Sequence, residues 1–263
     1  LRITTWNVNS VRLRHALLER IVTELQPDVL CLQEIKIEDQ HFPAAELQAL
    51  GFPHSYVFGQ KAYHGVAVLS RVPLTDCRNM RWCGIDHARH AVVGLPGGIE
   101  LHNLYIPAGG DTPDREQNPK FAHKLDMLAE LADWHERQRD QGRPAILLGD
   151  LNIAPLETDV WSHRQLLTVV SHTPVEVAAL ARLQEAGGYV DAVRRMIPPE
   201  ERLYSWWSYR AKDWAASDRG RRLDHIWVSP DLAGTIRSAI VLREARGWPQ
   251  PSDHVPVTVD VDL

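Results

Sequence analysis

Pro144-Ala145-Ile146-Leu147-Leu148-Gly149-Asp150-Leu151-Asn152 is the stretch that decides the fold. An apolar run this short, closed by glycine, reads as a buried strand, with Asp150 and Asn152 where it emerges at one rim of a sheet. Other segments repeat the arrangement. Arg2 to Trp6 runs into Asn7-Val8-Asn9, Asp28 to Leu32 runs into Gln33-Glu34, and Leu101 to Ile106 carries Tyr105 near its end. Arg222-Leu223-Asp224-His225 opens the run Ile226-Trp227-Val228, and Ser252-Asp253-His254 opens the last strand. Brought to one edge, these ends offer oxygen ligands and one imidazole.

The segments between the strands set the fold class. Leu13, Leu17, Ile21 and Leu25 recur at helical spacing before Gln26-Pro27, so a helix joins the first two strands. Ala91 to Leu95, Pro96-Gly97-Gly98 and Ile99 to Ile106 read as a hairpin, which brings antiparallel pairing into the sheet. A long helix is predicted from Pro119 to about Gln138, with Phe121, Leu125, Leu128 and Ala132 on its apolar face and Asn118 as its cap. Thr173-Pro174-Val175-Glu176 has capping-box spacing, and Gly187-Gly188 closes that helix. Val255, Val257, Val259 and Val261 alternate with Pro256, Thr258, Asp260 and Asp262, as in a strand buried on one side. Two mixed sheets packed face to face with helices outside are expected. No repeat or low-complexity linker interrupts the chain, so one domain is expected over residues 1–263.

A chain of 263 residues, 44% hydrophobic and 24% charged, is globular and long enough for a substantial core. It contains nothing like a transmembrane span or signal peptide, and a soluble intracellular protein is expected. Cys31, Cys77 and Cys83 form no CxxC and no even framework; Cys31 reads as a small buried hydrophobe, which fits a reducing compartment. The net charge of −5 argues against a protein held on nucleic acid by overall charge. Locally the balance reverses. From Arg202 to Arg222 six basic residues face two acidic ones, a local charge of +4.

Glu34 and Asn7 offer hard oxygen ligands, which suit Mg²⁺, with Mn²⁺ as the alternative; there is no Cys/His cluster with zinc spacing. Asp150 is placed to orient an attacking water or accept its proton, and Asn152 to donate to a phosphate or to that water. Asp224 and His254 make a carboxylate-imidazole pair that could stabilise a pentavalent phosphorane. Asp253 is a further candidate ligand or orienter, and Tyr105 a hydrogen-bond donor to phosphate. Taken singly, an Asp-x-Asn is most often a turn or a cap, a lone histidine more often structural, and Glu34 could be an ion-pair partner. Turn chemistry does not explain why acid, amide, phenol and imidazole all fall at strand ends.

Trp6-Asn7-Val8-Asn9, Pro27 to Glu34, Gly65 to Ser70, Tyr105-Ile106-Pro107, Gly149 to Asn152, Arg222-Leu223-Asp224 and Ser252 to Val257 follow one another in this order. Nearly the whole chain thereby resembles the exonuclease III family of apurinic/apyrimidinic endonucleases, of bacterial type. The resemblance implies a DNase I-like α/β fold, a four-layer α/β/β/α sandwich of the endonuclease/exonuclease/phosphatase superfamily. It implies Mg²⁺-dependent hydrolysis of the phosphodiester 5′ to an abasic site, with 3′-to-5′ exonuclease action and 3′-end trimming on duplex DNA. Glu34 is then the main metal ligand, with Asn7, Asp150, Asn152 and Asp253 around it. Asp150 positions or deprotonates the water, Asn152 and Tyr105 hold the phosphate, and Asp224 and His254 act as the pair described. A monomer acting on double-stranded DNA in the bacterial cytoplasm, at the nucleoid and away from membranes, is implied too. The alternatives are another phosphodiesterase or phosphatase of the superfamily, or a non-catalytic nucleic-acid-binding module.

Tyr204 to Arg210 interleaves aromatics with the basic excess. One of Trp206 and Trp207 is expected in the core. The other, taken as Trp206, is expected to line with Leu223 an apolar pocket for a flipped sugar lacking a base, while Arg221 or Arg222 reaches backbone phosphate. Two positions depart from the family pattern: Ala108 stands where familiar members carry an amide, and Ile35 where threonine is common. Ala108-Gly109-Gly110-Asp111 also lacks the arginine found nearby in the animal enzyme.

Overall fold

Residues 145–150 form the strand their composition predicts, at the middle of one of two stacked sheets. The computed structural model describes residues 1–138 and 142–263. In chain order the strands are β1 (Arg2–Asn7), β2 (Val29–Gln33), β3 (His54–Phe58), β4 (Val66–Ser70), β5 (Thr75–Trp82), β6 (Ile85–Leu95) and β7 (Ile99–Tyr105). They continue as β8 (Ala145–Asp150), β9 (Val190–Asp191), β10 (Trp206–Trp207), β11 (Gly220–Arg221), β12 (Asp224–Val228), β13 (Ile236–Val241) and β14 (Val257–Val261). The helices used below are α1 (His15–Leu25), α2 (Ala44–Ala49), α3 (Pro119–Gln138), α4 (His163–Leu166) and α5 (Pro174–Gly187).

One six-stranded sheet has the order β13-β14-β1-β2-β4-β3 and the other β5-β6-β7-β8-β12-β9, with β10-β11 as a separate ribbon. Both are mixed: β1 and β2, and β7 and β8, run parallel, while the hairpin of β6 and β7 is antiparallel. The sheets bury Ile3, Val29, Cys31, Val68, Ile146, Leu148, Ile226, Val257 and Val259 between them. Leu30 and Leu32 of β2 face outward onto Leu18 and Ile21 of α1. Leu147 and Trp227 face outward onto Leu128 and Leu131 of α3 and Leu180 and Leu183 of α5. Strands apolar on both faces are what a four-layer α/β/β/α stack requires.

The predicted helix ends hold. Asn118 Oδ1 accepts the Lys120 N–H at 3.0 Å, the Thr173/Glu176 capping box is formed, and Gly188 ends α5 in the left-handed conformation. Two details differ. Leu13 precedes α1 and is 64% exposed, its place on the buried face being taken by Leu18. Val255 precedes β14 and packs outward with Trp6 and Trp207 rather than sharing the face of Val257.

Gly149 is required. Its φ is 134°, and a Cβ there would lie 1.9 Å from the Leu104 carbonyl oxygen, so β7 and β8 can approach only over a glycine. Ile35, the residue beside Glu34, is fully buried against Gly65, where an added Cβ would lie 2.5 Å from the Ile35 side chain.

Candidate active site

Strand register explains why residues far apart in the chain meet. Tyr105 stands opposite Asp150 across the parallel pair β7/β8, and Asp224 opposite Asp150 across the antiparallel pair β8/β12. In the other sheet Asn7 stands opposite Gln33, so Glu34 leaves β2 at the same rim. His254 is brought in by Trp206, with which it forms an isolated bridge, and by the Trp207 N–H, which donates to the Asp253 carbonyl at 2.9 Å. Glu34 and Asn152 both have left-handed backbones, with φ of 50° and 53°. For glutamate that conformation costs on the order of 1 kcal/mol or more, and such cost concentrates where geometry matters for function.

One hydrogen-bonded chain crosses the rim. Asn7 Nδ2 donates to Glu34 Oε1 at 2.9 Å and to Asp150 Oδ2 at 2.8 Å. Asp150 Oδ1 accepts the Asn152 backbone N–H at 3.0 Å, and Asn152 Nδ2 donates to Asp150 Oδ2 at 3.1 Å and to the Ile106 carbonyl at 2.9 Å. His254 lies between two carboxylates, Nδ1 at 2.8 Å from Asp224 Oδ2 and Nε2 at 3.6 Å from Asp150 Oδ2. Ser205 Oγ donates to Asp224 Oδ2 at 2.6 Å and accepts from the Leu223 and Asp224 N–H groups.

The electrostatics follow from burial and pairing. Burial pushes the Asp150 carboxyl up, and nearby Asp224 adds to the rise while His254 opposes it. Burial disfavours a charged His254, but Asp224 and Asp150 outweigh it and hold the ring protonated well above its ordinary range. Burial also raises Glu34, yet Lys36, with Nζ 2.8 Å from Oε2, and hydrogen bonds from Asn7, Lys36 and Tyr105 bring it below the usual carboxylate range. Tyr105 is raised by burial and by Glu34 and Asp150, so its phenol stays a neutral donor. Arg89 lies over the Tyr105 ring, 4.7 Å from its centroid.

Among the described residues, Asp150, Asp224 and His254 form the one group of three acid or imidazole side chains with mutually close ligand atoms. The imidazolium offsets one of their two negative charges, as Lys36 offsets that of Glu34, but Glu34 is the more accessible carboxylate, which makes it the better seat for a cation. Glu34 opens onto a cavity of about 590 Å³, and one carboxylate beside space for water and phosphate oxygens suits a hard divalent ion. Asn7, another ligand expected from the sequence, has its Oδ1 accepting the Asn9 N–H at 3.0 Å and its amide N–H facing the carboxylates, so ligating an ion there would require its amide to turn over. Asp253 lines the cavity, with its oxygens accepting from Asn9 Nδ2 at 3.1 Å and Trp206 Nε1 at 3.0 Å.

Beyond the polar rim the cavity wall is apolar: Trp161, Val169, Val170, Trp206 and Leu223. Trp207 is core and Trp206 lines the cavity, the division expected of the pair. Ala108 sits exposed at the lip. Arg222 is placed otherwise than expected. It is 2% exposed, with Nε and Nη2 on Asp159 at 2.8 and 3.0 Å and Nη1 on Asp191 at 2.7 Å, so it cannot reach a phosphate outside. Arg221 lines the cavity, but its Nη1 is bound to the Val170 carbonyl and Ser171 Oγ while the guanidinium stacks on Trp206. The cations at the cavity mouth are Arg210 and Arg219, the latter over Trp161. Both belong to the basic stretch visible in the sequence; Trp161, Val169, Ser205 and Lys36 carried no motif that could single them out.

The whole chain has relatives. A model of the Endonuclease/Exonuclease/phosphatase family matches residues 4–254. Exodeoxyribonuclease III of Haemophilus influenzae is 32% identical, covering 98% of each chain. A 3′-5′ exonuclease (NExo) from Neisseria meningitidis superposes with a TM-score of 0.91 at 33% identity, and an AP endonuclease from Archaeoglobus fulgidus with 0.92 at 31%, each covering both chains completely. NExo has also been solved, described as a 3′ phosphatase, bound to a product DNA hairpin.

Proposed function

The chain belongs to the endonuclease/exonuclease/phosphatase family, and from that premise we propose that it is a DNA repair nuclease that hydrolyses the phosphodiester 5′ to an abasic site. The same site removes 3′ nucleotides and trims blocked 3′ ends of duplex DNA. The observation that carries this reading is the buried chain Asp224, His254, Asp150 beside Glu34, opening onto a cavity walled by Trp206 and Leu223. Names borne by relatives of similar length, exodeoxyribonuclease III and AP endonuclease, agree with it. One catalytic domain over residues 1–263, acting as a monomer in the cytoplasm with Mg²⁺ (or Mn²⁺) as its ion, completes the proposal.

Asp150 has the role of base. Its carboxyl, raised by burial, holds a proton more readily than an exposed aspartate, which suits a group that takes one from the attacking water. The water's proton moves to Asp150 as its oxygen bonds to phosphorus, and the P–O3′ bond of the leaving strand breaks, its 3′ oxygen taking a proton from solvent to give the 3′ hydroxyl. Protonated His254, fixed by Asp224, offers Nε2–H to the charge that grows on the phosphoryl oxygens. Tyr105 orients the phosphate, while Asn152, whose two amide protons are given to Asp150 Oδ2 and the Ile106 carbonyl, accepts from the attacking water with its free Oδ1. Glu34, with Asp253 as a further oxygen donor, would hold a divalent ion, which would supply Lewis-acid stabilisation of the same charge. A sugar without a base unstacks cheaply, and the apolar wall accepts it where a nucleotide would meet Trp206 and Leu223.

Incubation of a labelled duplex containing one abasic site, beside an undamaged duplex with a recessed 3′ end, with and without Mg²⁺, tests the proposal. Mg²⁺-dependent incision on the 5′ side of the lesion is expected. Cleavage of neither duplex, with release of phosphate from a small phosphomonoester or inositol phosphate instead, would assign the site to another branch of the family.

A further inference from the structure

Behind the cavity wall lies an ion pair that touches none of the reacting groups. Lys124 of α3 and Glu176 of α5 are both fully buried and bonded to one another. Burial depresses the Lys124 ammonium, and Glu176 restores part of the loss. Their other bonds reach three separate loops. Lys124 Nζ donates to the Asn152 carbonyl at 2.8 Å and to the Ala108 carbonyl at 3.3 Å. Glu176 accepts the Ser171 N–H with both oxygens at 2.9 Å, and the Thr173 N–H at 3.2 Å. Gly109 packs into the same junction: a Cβ there would lie 3.0 Å from both Lys124 Cδ and Val170 Cγ1.

The junction therefore sets three distances at once. It holds the turn carrying Asn152, whose backbone is left-handed, the lip that follows Tyr105, and the wall segment Val169-Val170-Ser171. A capping box needs only Thr173 and Glu176; it does not need a buried lysine bonded to carbonyls of two other loops. A buried ion pair is a poor source of net stability, since apolar residues of like volume often serve as well. What such a pair supplies is a fixed arrangement.

We propose that Lys124 and Glu176 are positioning residues, the buried pair fixing the spacing between the Asn152 turn and the Val169–Ser171 wall and thereby the alignment of the bound phosphate with Asp150. This rests on the nuclease reading above. Neither residue contacts substrate, so the effect is on turnover more than on binding. A displacement of about 1 Å is enough to cost up to about a hundredfold in rate.

The test compares Lys124→Met, Glu176→Gln and the double variant with wild type for kcat and KM on the abasic duplex with Mg²⁺, alongside thermal melting. Each single variant leaves one buried charge unpaired and should lower Tm. The double variant removes both charges, so Tm should return toward wild type while kcat stays depressed about tenfold or more and KM moves less than about threefold. Recovery of kcat together with Tm in the double variant would show a purely structural pair and overturn the inference, as would a single variant that folds and turns over at the wild-type rate. If a single variant does not fold, the double variant alone decides. Absence of incision by the wild type marks failure of the nuclease reading and is separable from either result.

Discussion

Asp224 Oδ2 lies 2.8 Å from His254 Nδ1, and that contact turns the opposite ring nitrogen toward Asp150 at 3.6 Å. The carboxylate thus fixes both the orientation and the charge of the imidazole at the centre of the proposed reaction. Ser205, buried and bonded to the same Oδ2 at 2.6 Å, holds the carboxylate in turn.

Asp224→Asn keeps the shape and removes the charge. The ring then loses its main reason to be protonated, and kcat for incision should fall by about 10²- to 10⁴-fold in the folded protein, with a lower melting temperature because a buried pair is broken. Steady-state kinetics beside circular dichroism checks this; a variant within a few-fold of wild type would remove His254 from the mechanism.

Glu34 and Asp150 separate by their response to metal. Glu34→Gln should raise the Mg²⁺ concentration needed for half-maximal rate by about tenfold or more, because the carboxylate is exchanged for a neutral oxygen. Asp150→Asn should lower incision by orders of magnitude at any Mg²⁺ concentration, because the proton acceptor is gone. A Mg²⁺ titration of the two variants reads both outcomes. Full recovery of Asp150→Asn at high Mg²⁺ would make Asp150 a ligand rather than a base.

Arg222→Met should act on stability and not on DNA. It strips the guanidinium from buried Asp159 and Asp191, a loss of about 3–5 kcal/mol, partly relieved by Arg194, which also pairs with Asp159. Urea unfolding should show a lower midpoint while KM, measured on the folded fraction, stays put. A raised KM with an unchanged midpoint would return Arg222 to the DNA surface.

Acid stability has a traceable component at the opposite end of β7. Burial pushes Glu100 up, but a hydrogen bond from His102 at 2.8 Å and the Arg78 guanidinium at 2.7 Å bring its carboxyl down to about 2. Because the folded value is below the unfolded one, this stabilisation is complete above about pH 4.5 and is lost as pH falls toward 2. With solvent screening it amounts to about 1 kcal/mol. Denaturation of Glu100→Gln should be less steep in pH over that window than wild type, and parallel curves would exclude the contribution.

Gly149→Ala should not give a stable native protein, since the new methyl group would lie 1.9 Å from the Leu104 carbonyl oxygen on a backbone with φ of 134°. Soluble expression and near-ultraviolet circular dichroism decide it. A native-like variant would mean that β7 and β8 can separate where Tyr105 and Asp150 face each other.

Much of this arrangement was legible in the chain. Period-2 and period-3.6 patterns and their caps located α1, α3, α5 and the β6/β7 hairpin, because those signals are local. The rim residues Glu34, Tyr105, Asp150, Asn152, Asp224 and His254 were legible as strand-end chemistry, and strand register, parallel in β1/β2 and β7/β8 and antiparallel in β8/β12, brought them to one rim. What stayed hidden depends on side-chain direction and long-range pairing. Arg222 follows Arg221, yet one side chain turns into a buried pair of aspartates and the other onto Trp206, a difference in direction at the end of β11 that composition does not reveal. The orientation of the Asn7 amide, with Oδ1 on the Asn9 N–H and Nδ2 toward the carboxylates, is likewise invisible in the chain. Lys124, on the buried side of a helix, reads as a solvated cation until the three loops around it are folded.

We propose that this rim hydrolyses a phosphodiester at an abasic site, with Asp150 as the base and a divalent ion at Glu34. The most direct test is to identify the ends produced from an abasic duplex by wild type and by Asp150→Asn, with Mg²⁺ and with a chelator. Wild type with Mg²⁺ should form a 3′ hydroxyl and a 5′ deoxyribose phosphate, and the substitution or the chelator should suppress both. Cleavage on the 3′ side of the lesion leaving an unsaturated aldehyde, or equal cleavage by Asp150→Asn, would contradict it.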